Sequence, residues 1–193
     1  GRPQWRTILG GSSRYEDKLL ADYRGELRLN TPVKGIRRVE GGVEISTEKR
    51  QPEKFDKVII AVHSDQALRM LAEPSERERE ILGAIPYQRN TVILHSDSSV
   101  LPRSRRAWAS WNYHILDREQ HNVAITYNMD ILQRLGTEEV YCVTLNVPDA
   151  IDPSRIIREL TYEHPVFAAD GVEAQRRRDE ISGGRNTYYA GAY

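Results

Sequence analysis

The sequence predicts an α+β fold. Three observations carry that prediction: a β-branched run at Val58-Ile59-Ile60-Ala61-Val62, a hairpin signal at Gly41-Gly42, and further strand-like runs between residues 87 and 164. Helical patterns fall among these runs without alternating regularly with them, so a repeating βαβ chain is not indicated. At 193 residues the chain suits one domain or two small ones. Roughly 70% of the unfolded surface is buried on folding at such a size, enough for a core.

The elements follow in order. Gly10-Gly11-Ser12-Ser13 reads as a turn that opens a helix. Ser12 or Ser13 suits its N-cap, and Tyr15, Leu19, Leu20 and Tyr23 lie along one face. Gly25 suits the C′ position. Leu27-Arg28-Leu29 reads as extended, and the turn Asn30-Thr31-Pro32 leads to a strand over 33–39. Gly41-Gly42 makes a hairpin into Val43-Glu44-Ile45-Ser46, whose residues alternate apolar and polar. A polar loop through Gln51-Pro52 leads to the run 58–62, which reads as a strand covered on both faces, as in a parallel sheet. Ligands of such sheets collect at the carboxyl ends of the strands. His63-Ser64-Asp65 is therefore the first place to look for function.

Ser64 suits the N-cap of a helix over 65–71 that buries Ala67, Leu68 and Leu71, and Pro74 breaks it. Ser75-Glu76-Arg77-Glu78 is a capping box, opening a helix with a solvated, charge-rich start that ends near Gly83. Strands are expected over 87–95, 106–113, 123–127 and 140–146, and residues 155–164 fit a fifth strand or a helix. Short helices are expected over 130–135, closed by Gly136, and over 170–181, closed by Gly183-Gly184. A last strand begins at Thr187.

Lys plus Arg and Asp plus Glu number 28 each, so the net charge is zero. A phosphate-backbone binder usually carries a basic excess, so no nucleic-acid partner is expected. The short runs Arg103-Ser104-Arg105-Arg106 and Arg176-Arg177-Arg178 read as solvated surfaces. The single cysteine, Cys142, excludes an intramolecular disulfide framework and reads as a small buried residue. No apolar run is long enough for a membrane span and no signal pattern is visible, so no stable membrane insertion and a cytoplasmic location are expected.

His63-x-Asp65 and His95-x-Asp97 bring ligating residue types together. Neither these nor His114, His121 and His164 form a recognised metal array, so no metal site is expected. Gly10-Gly11, Gly41-Gly42 and Gly183-Gly184 belong to no phosphate cradle and read as turns. Residues 107–113 are more suggestive. In a strand Ala107, Ala109, Trp111 and Tyr113 share one side, while Trp108, Ser110 and Asn112 share the other. The second side mixes an aromatic with two hydrogen-bonding groups, as a pocket wall does, although an aromatic core strand with a solvated reverse fits as well.

Residues 10–67 together carry a family likeness: Gly-Gly, a helix, Thr31-Pro32-Val33-Lys34-Gly35-Ile36, Gly41-Gly42-Val43-Glu44-Ile45, then Phe55-Asp56-Lys57-Val58-Ile59-Ile60-Ala61. This order resembles the middle of FAD-dependent oxidoreductases of the flavin-containing amine oxidase superfamily. The stretches from Tyr87 to Asp97 and from Arg106 to Tyr113, with Tyr162-Glu163-His164-Pro165-Val166, are similar to a bacterial subgroup of amine-oxidase-like NAD/FAD-binding proteins. A similar segment occurs fused to some plant cyclopropane fatty acid synthases.

The resemblance implies an FAD-dependent oxidoreductase that transfers hydride from a small or lipid-like substrate to FAD. The family's N-terminal G-x-G-x-x-G and C-terminal glycine-rich segment are not in this chain. It starts at Gly1-Arg2-Pro3 and stops at Tyr188-Tyr189-Ala190-Gly191-Ala192-Tyr193, so it reads as an internal fragment, inactive alone and unable to retain FAD tightly. The implied organisation is a partial FAD-binding segment over 1–66, a mixed-sheet substrate domain with flanking helices over 67–184, and a return to the FAD domain over 185–193. The resemblance places the backbone of Val33 at the adenine edge, and Ala61 and Val62 near the dinucleotide. Asn90, Trp111 or Asn112, and Tyr127 fall on the substrate floor. No position matches a family catalytic lysine. The alternative is a non-catalytic binding domain that keeps the substrate-domain fold, with a lipid-modifying methyltransferase as a candidate partner.

Overall fold

The computed structural model describes residue 4 and residues 6–115 and 123–191, so His121 lies outside the described residues. In chain order its main elements are α1 (Ser13–Ala21), β1 (Val33–Val39), β2 (Gly42–Thr47), β3 (Glu53–Phe55), β4 (Val58–Ile60), α2 (Ser64–Met70) and α3 (Glu76–Gly83). Then come β5 (Tyr87–His95), β6 (Trp111–Tyr113), β7 (Ile125–Asn128), α4 (Met129–Gln133), β8 (Cys142–Leu145), β9 (Ile156–Pro165), α5 (Ala169–Arg176) and β10 (Thr187–Tyr189). The fold is α+β. Two compact units share the chain: Gly1–Gly25 with Arg89–Glu163, and Glu26–Gln88 with His164–Tyr193.

The unit of Glu26–Gln88 and His164–Tyr193 holds an antiparallel meander, β1-β2-β3, and a parallel pair, β4 with β10. Val39 pairs with Gly42, leaving Glu40-Gly41 as a two-residue hairpin loop. Gly41 takes a left-handed φ of 71° that such a turn requires. Ile36, Ile60, Ala67, Leu71, Ile81, Leu82, Ala174, Ile181 and Tyr189 form one buried core, with Leu68 packed against it. The apolar face expected of α2 is thus the buried one.

Several local expectations are corrected here. The run 58–62 forms a strand only over Val58–Ile60, and Ile59 is 67% exposed, so the strand is covered on one face. β3 occupies part of the stretch expected as loop, and Leu27-Arg28-Leu29 pairs with no strand among the described residues. Arg28 instead reaches the carboxylates of Glu26 and Glu53. Ser64 is the first helical residue of α2 and makes no cap; its N–H donates to the Tyr87 hydroxyl at 3.0 Å.

The capping box of α3 forms as its spacing requires: the Glu78 N–H donates to Ser75 Oγ, and the Ser75 N–H donates to Glu78 Oε2 at 2.7 Å. Its start is nevertheless not wholly solvated, because the Glu78 side chain is only 4% exposed. Arg38 from β1, the Tyr189 hydroxyl from β10 and Arg185 all donate to that carboxylate, at 2.5, 2.7 and 2.8 Å. One acid thereby ties β1, α3 and β10 together.

The other unit holds α1 and a sheet in the order β6-β7-β8-β5-β9. Trp111 pairs with Tyr127, Tyr127 with Val143, and Val143 with Leu94. Val92, Ile93, Leu101, Ala124, Cys142, Val147 and Ile151 are buried. The strand expected over 106–113 is short: Arg105–Ala107 form a 3₁₀ turn, and only Trp111–Tyr113 pair. The apolar face of α1 is exposed, and Gly25 does not cap that helix, which closes at Asp22. Among the described residues no helix is long and apolar enough to cross a membrane.

Candidate functional site

Each unit contributes one candidate surface. The first lies at the carboxyl ends of the parallel pair β4 and β10, where ligands of parallel sheets collect. There the backbones of Val62 and Gly191 touch: a Cβ on Gly191 would fall 1.9 Å from the Val62 carbonyl oxygen. Only glycine permits that approach. Ala61 is exposed and Val62 half-buried. Val62, Ser64 and Gly191 also line a small cavity of about 30 Å³ over the core.

The segment leaving β4 carries unspent polarity. The His63 ring stacks on Tyr87 with centroids 4.5 Å apart, and its Nδ1 is buried with no partner among the described residues. Asp65 gives one oxygen to Arg69 at 2.6 Å, while its other oxygen is likewise buried and unpartnered. Buried polar atoms are nearly always paired, so two orphans two positions apart are an exception that needs a cause. Val33 begins β1, an edge strand of its meander, and the register shifts between Val33 and Gly35. Such irregularities interrupt the ladder and gather beside ligand sites.

The second surface is a face of the five-stranded sheet. Strand alternation with the observed register puts Trp111, Tyr127, Leu94 and Asn90 on that face. Trp111 is 56% exposed and meets Tyr127 edge to face, centroids 6.2 Å apart. Beside Trp111 opens a cavity of about 620 Å³, with Arg6, Leu9, Ser110, Ile131 and Arg134 in its wall. Of the side expected to combine Trp108, Ser110 and Asn112, Ser110 lines this cavity, while Trp108 donates its indole N–H to the Pro102 carbonyl and Asn112 is buried.

Residues 1–145 match the family described as flavin containing amine oxidoreductase. The chain belongs to that family. Membership in this flavin oxidoreductase family implies FAD as the cofactor of the full-length protein. No curated protein matches the sequence. Among solved structures, the chain is similar to the CLA-producing fatty acid isomerase from P. acnes, at 18% identity and a TM-score of 0.62, covering 94% of this chain and 47% of that one. It is also similar to wild-type putrescine oxidase bound to putrescine, at 11% identity and a TM-score of 0.58, covering 95% and 47%. These likenesses show the shared fold, and the chain spans about half the length of either relative.

In this member of the family, the predicted substrate-floor residues divide. Trp111 and Tyr127 come together, and Asn90 shares their face but is 8% exposed and accepts from Asn146 Nδ2 at 2.8 Å. Asn112 lies on the opposite face. Its Oδ1 accepts from the Ala109 N–H, and its Nδ2 donates to the carbonyls of Ala109 and Thr126.

That opposite face holds a feature that sequence reasoning missed. The Asp97 N–H donates to His95 Nδ1 at 3.1 Å, so neutral His95 carries its proton on Nε2 and donates to Thr144 Oγ1 at 2.7 Å. Thr144 and Thr126 hydroxyls lie 2.8 Å apart, and Thr126 reaches His114 Nε2 at 2.7 Å. The polarity set at Asp97 then runs through both threonines and leaves the His114 proton on Nδ1. Burial pushes both histidines below their usual pKa; at His95 the Asp97 charge opposes this without overcoming it. The chain of four side chains needs no metal. Among the described residues no group of three His, Cys, Asp or Glu is placed to hold one.

Proposed function

We propose that the full-length protein is an FAD-dependent oxidoreductase that takes hydride from a small or lipid-like substrate. On this reading the unit of Glu26–Gln88 and His164–Tyr193 belongs to the FAD-binding part, and the unit of Gly1–Gly25 and Arg89–Glu163 to the substrate part. The observation that carries it is the convergence of β4 and β10 at Val62 and Gly191, where only a glycine fits. The unpartnered His63 Nδ1 and Asp65 oxygen beside that point fit the edge of a polar cofactor. Bound FAD supplies the acceptor for the hydride, and the protein supplies orientation and a dry site.

The chain's own residues then have separable tasks. The Val33 backbone, on an edge strand beside its register shift, offers main-chain groups to the adenine. Ala61 and Val62 are small enough for the dinucleotide to approach their backbone. Trp111 and Tyr127 form an aromatic floor for the substrate, with Asn90 at its margin. Asn112 positions that floor from behind by tying Ala109 to β7.

Flavin absorbance tests the reading. Full-length protein should purify with stoichiometric FAD, and Gly191→Ala should lower that occupancy. The 193-residue chain should retain none, because it contains no pyrophosphate-binding glycine loop. Full-length protein that binds no flavin refutes it, and a chain of these residues that holds FAD stoichiometrically refutes the reading that the chain is an incomplete cofactor site.

A further inference from the structure

The cavity beside Trp111 has a charge that the overall composition conceals. Its wall combines apolar Leu9, Trp111, Ile131 and Leu132 with two cations, Arg6 and Arg134, and contains no carboxylate among the described residues. Neither arginine is neutralised elsewhere: among the described residues Arg6 bonds only the neutral Gln4 amide, and Arg134 makes no ion pair. The nearest acid along α4, Asp130, is occupied by the Thr137 hydroxyl and the Tyr141 N–H. Arg134 also takes a left-handed backbone, φ 55°, at the end of α4. A glycine or asparagine is the usual occupant there, because a bulkier side chain crowds the following carbonyl.

We propose that this cavity binds an amphipathic anion. Its alkyl or acyl chain lies along Leu9, Trp111, Ile131 and Leu132, and its carboxylate or phosphate head is held by Arg6 and Arg134. A volume of about 620 Å³ is that of a small-molecule site. Guanidinium groups recognise carboxylates and phosphates through paired, charge-assisted hydrogen bonds. The same two charges repel a cationic amine, since like charges brought together disfavour binding. Family membership alone suggests an amine; the cavity has the wrong sign for one.

The proposal rests on Trp111 and Tyr127 forming the substrate floor. Its test needs no flavin, so its failure and that of the cofactor reading are observed separately. Calorimetric titrations of the 193-residue chain would use decanoate, decyl phosphate, decanol and 1,10-diaminodecane, each below its aggregation concentration. Decanoate or decyl phosphate should bind at least about tenfold more tightly than decanol, and more weakly as salt rises. The tighter of the two assigns the head group.

Arg134→Asn keeps a residue that tolerates the left-handed backbone, and it should weaken anion binding about tenfold while leaving decanol unchanged. Arg134→Lys should retain most of the binding, and Arg6→Gln with Arg134→Asn should erase the preference over decanol. Far-UV circular dichroism confirms that these exposed substitutions fold. Decanol binding as tightly as the anions, the diamine binding more tightly, no probe binding, or anion affinity indifferent to both arginines would each overturn the proposal.

Discussion

Removing the Glu78 carboxylate should unlock the unit that contains it. The side chain is 4% exposed and receives Arg38, Arg185, the Tyr189 hydroxyl, and the Ser75 N–H and hydroxyl. Arg38, itself 11% exposed, loses its counter-charge in Glu78→Ala. Breaking one side of a buried pair costs about 3–5 kcal/mol. The helix cap lost with it belongs to the same network and does not add in full. For a chain of this length, that corresponds to a fall in Tm of roughly 6–20 °C.

Glu78→Gln keeps an acceptor for Ser75 and should cost less, about 1.5–3 kcal/mol. Urea and thermal unfolding measure both. The acid limb gives an independent check. Burial pushes the Glu78 pKa up, but the Ser75 N–H, the Tyr189 hydroxyl and Arg38 outweigh it and hold it below 4.5. A depressed carboxylate stabilises the fold above its unfolded value, and that contribution is lost as pH falls from about 4.5 toward the folded pKa. Glu78→Gln should remove this part of the acid sensitivity. A cost below about 1 kcal/mol for Glu78→Ala, the scale of an exposed ion pair, would refute the lock.

Two further outcomes follow from buried groups in the sheet unit. Burial keeps His95 and His114 neutral in the fold while the unfolded chain protonates near 6.5, so stability should fall as pH drops below about 6.5. Urea midpoints that stay flat down to about pH 5.5 would contradict the neutral state, and nitrogen NMR shifts placing the His95 proton on Nδ1 would contradict the polarity assigned to the Thr144–Thr126 chain. Burial, with Asp130 and Asp97 adding to it, pushes the Cys142 thiol up to about 11. Iodoacetamide should therefore label native protein far more slowly than urea-unfolded protein at pH 8, and equal rates would refute its burial.

Features set by neighbours along the chain were the legible ones. Ser75 and Glu78 sit three residues apart, so their reciprocal cap could be read directly and formed as read. Gly41 needed only the local demand of a hairpin. Glu78's burial was not legible, because its partners lie 40 and 111 residues away in Arg38 and Tyr189, and a charge run looks solvated without them. β4 misled for a related reason. A β-branched run shows that a strand is buried somewhere, but whether both faces are covered depends on what packs there, and Ile59 is open. Residues 106–113 alternate well enough to suggest a long strand. Trp108 to Pro102 and Asn112 to Ala109 are side-chain to backbone bonds that fold the segment into a turn instead.

The site was legible by face but not by choice of face. Alternation places Trp111 and Asn112 on opposite sides of β6, so the sequence could nominate either. The pairing of Trp111 with Tyr127 decides that the two aromatics share a face, and Asn112's internal bonds commit it to the other. Charge behaved in the same way. Equal totals of acid and base argue against a broad basic surface, yet say nothing about where single charges gather. Arg6 and Arg134 meet at one apolar cavity only through folding, and the nearby Asp130 is spent on Thr137 and Tyr141. A neutral chain can therefore hold a site of decided sign. On the proposed reading, that sign would discriminate among substrates where family membership does not, because membership speaks to the cofactor and the cavity wall to what the cavity binds.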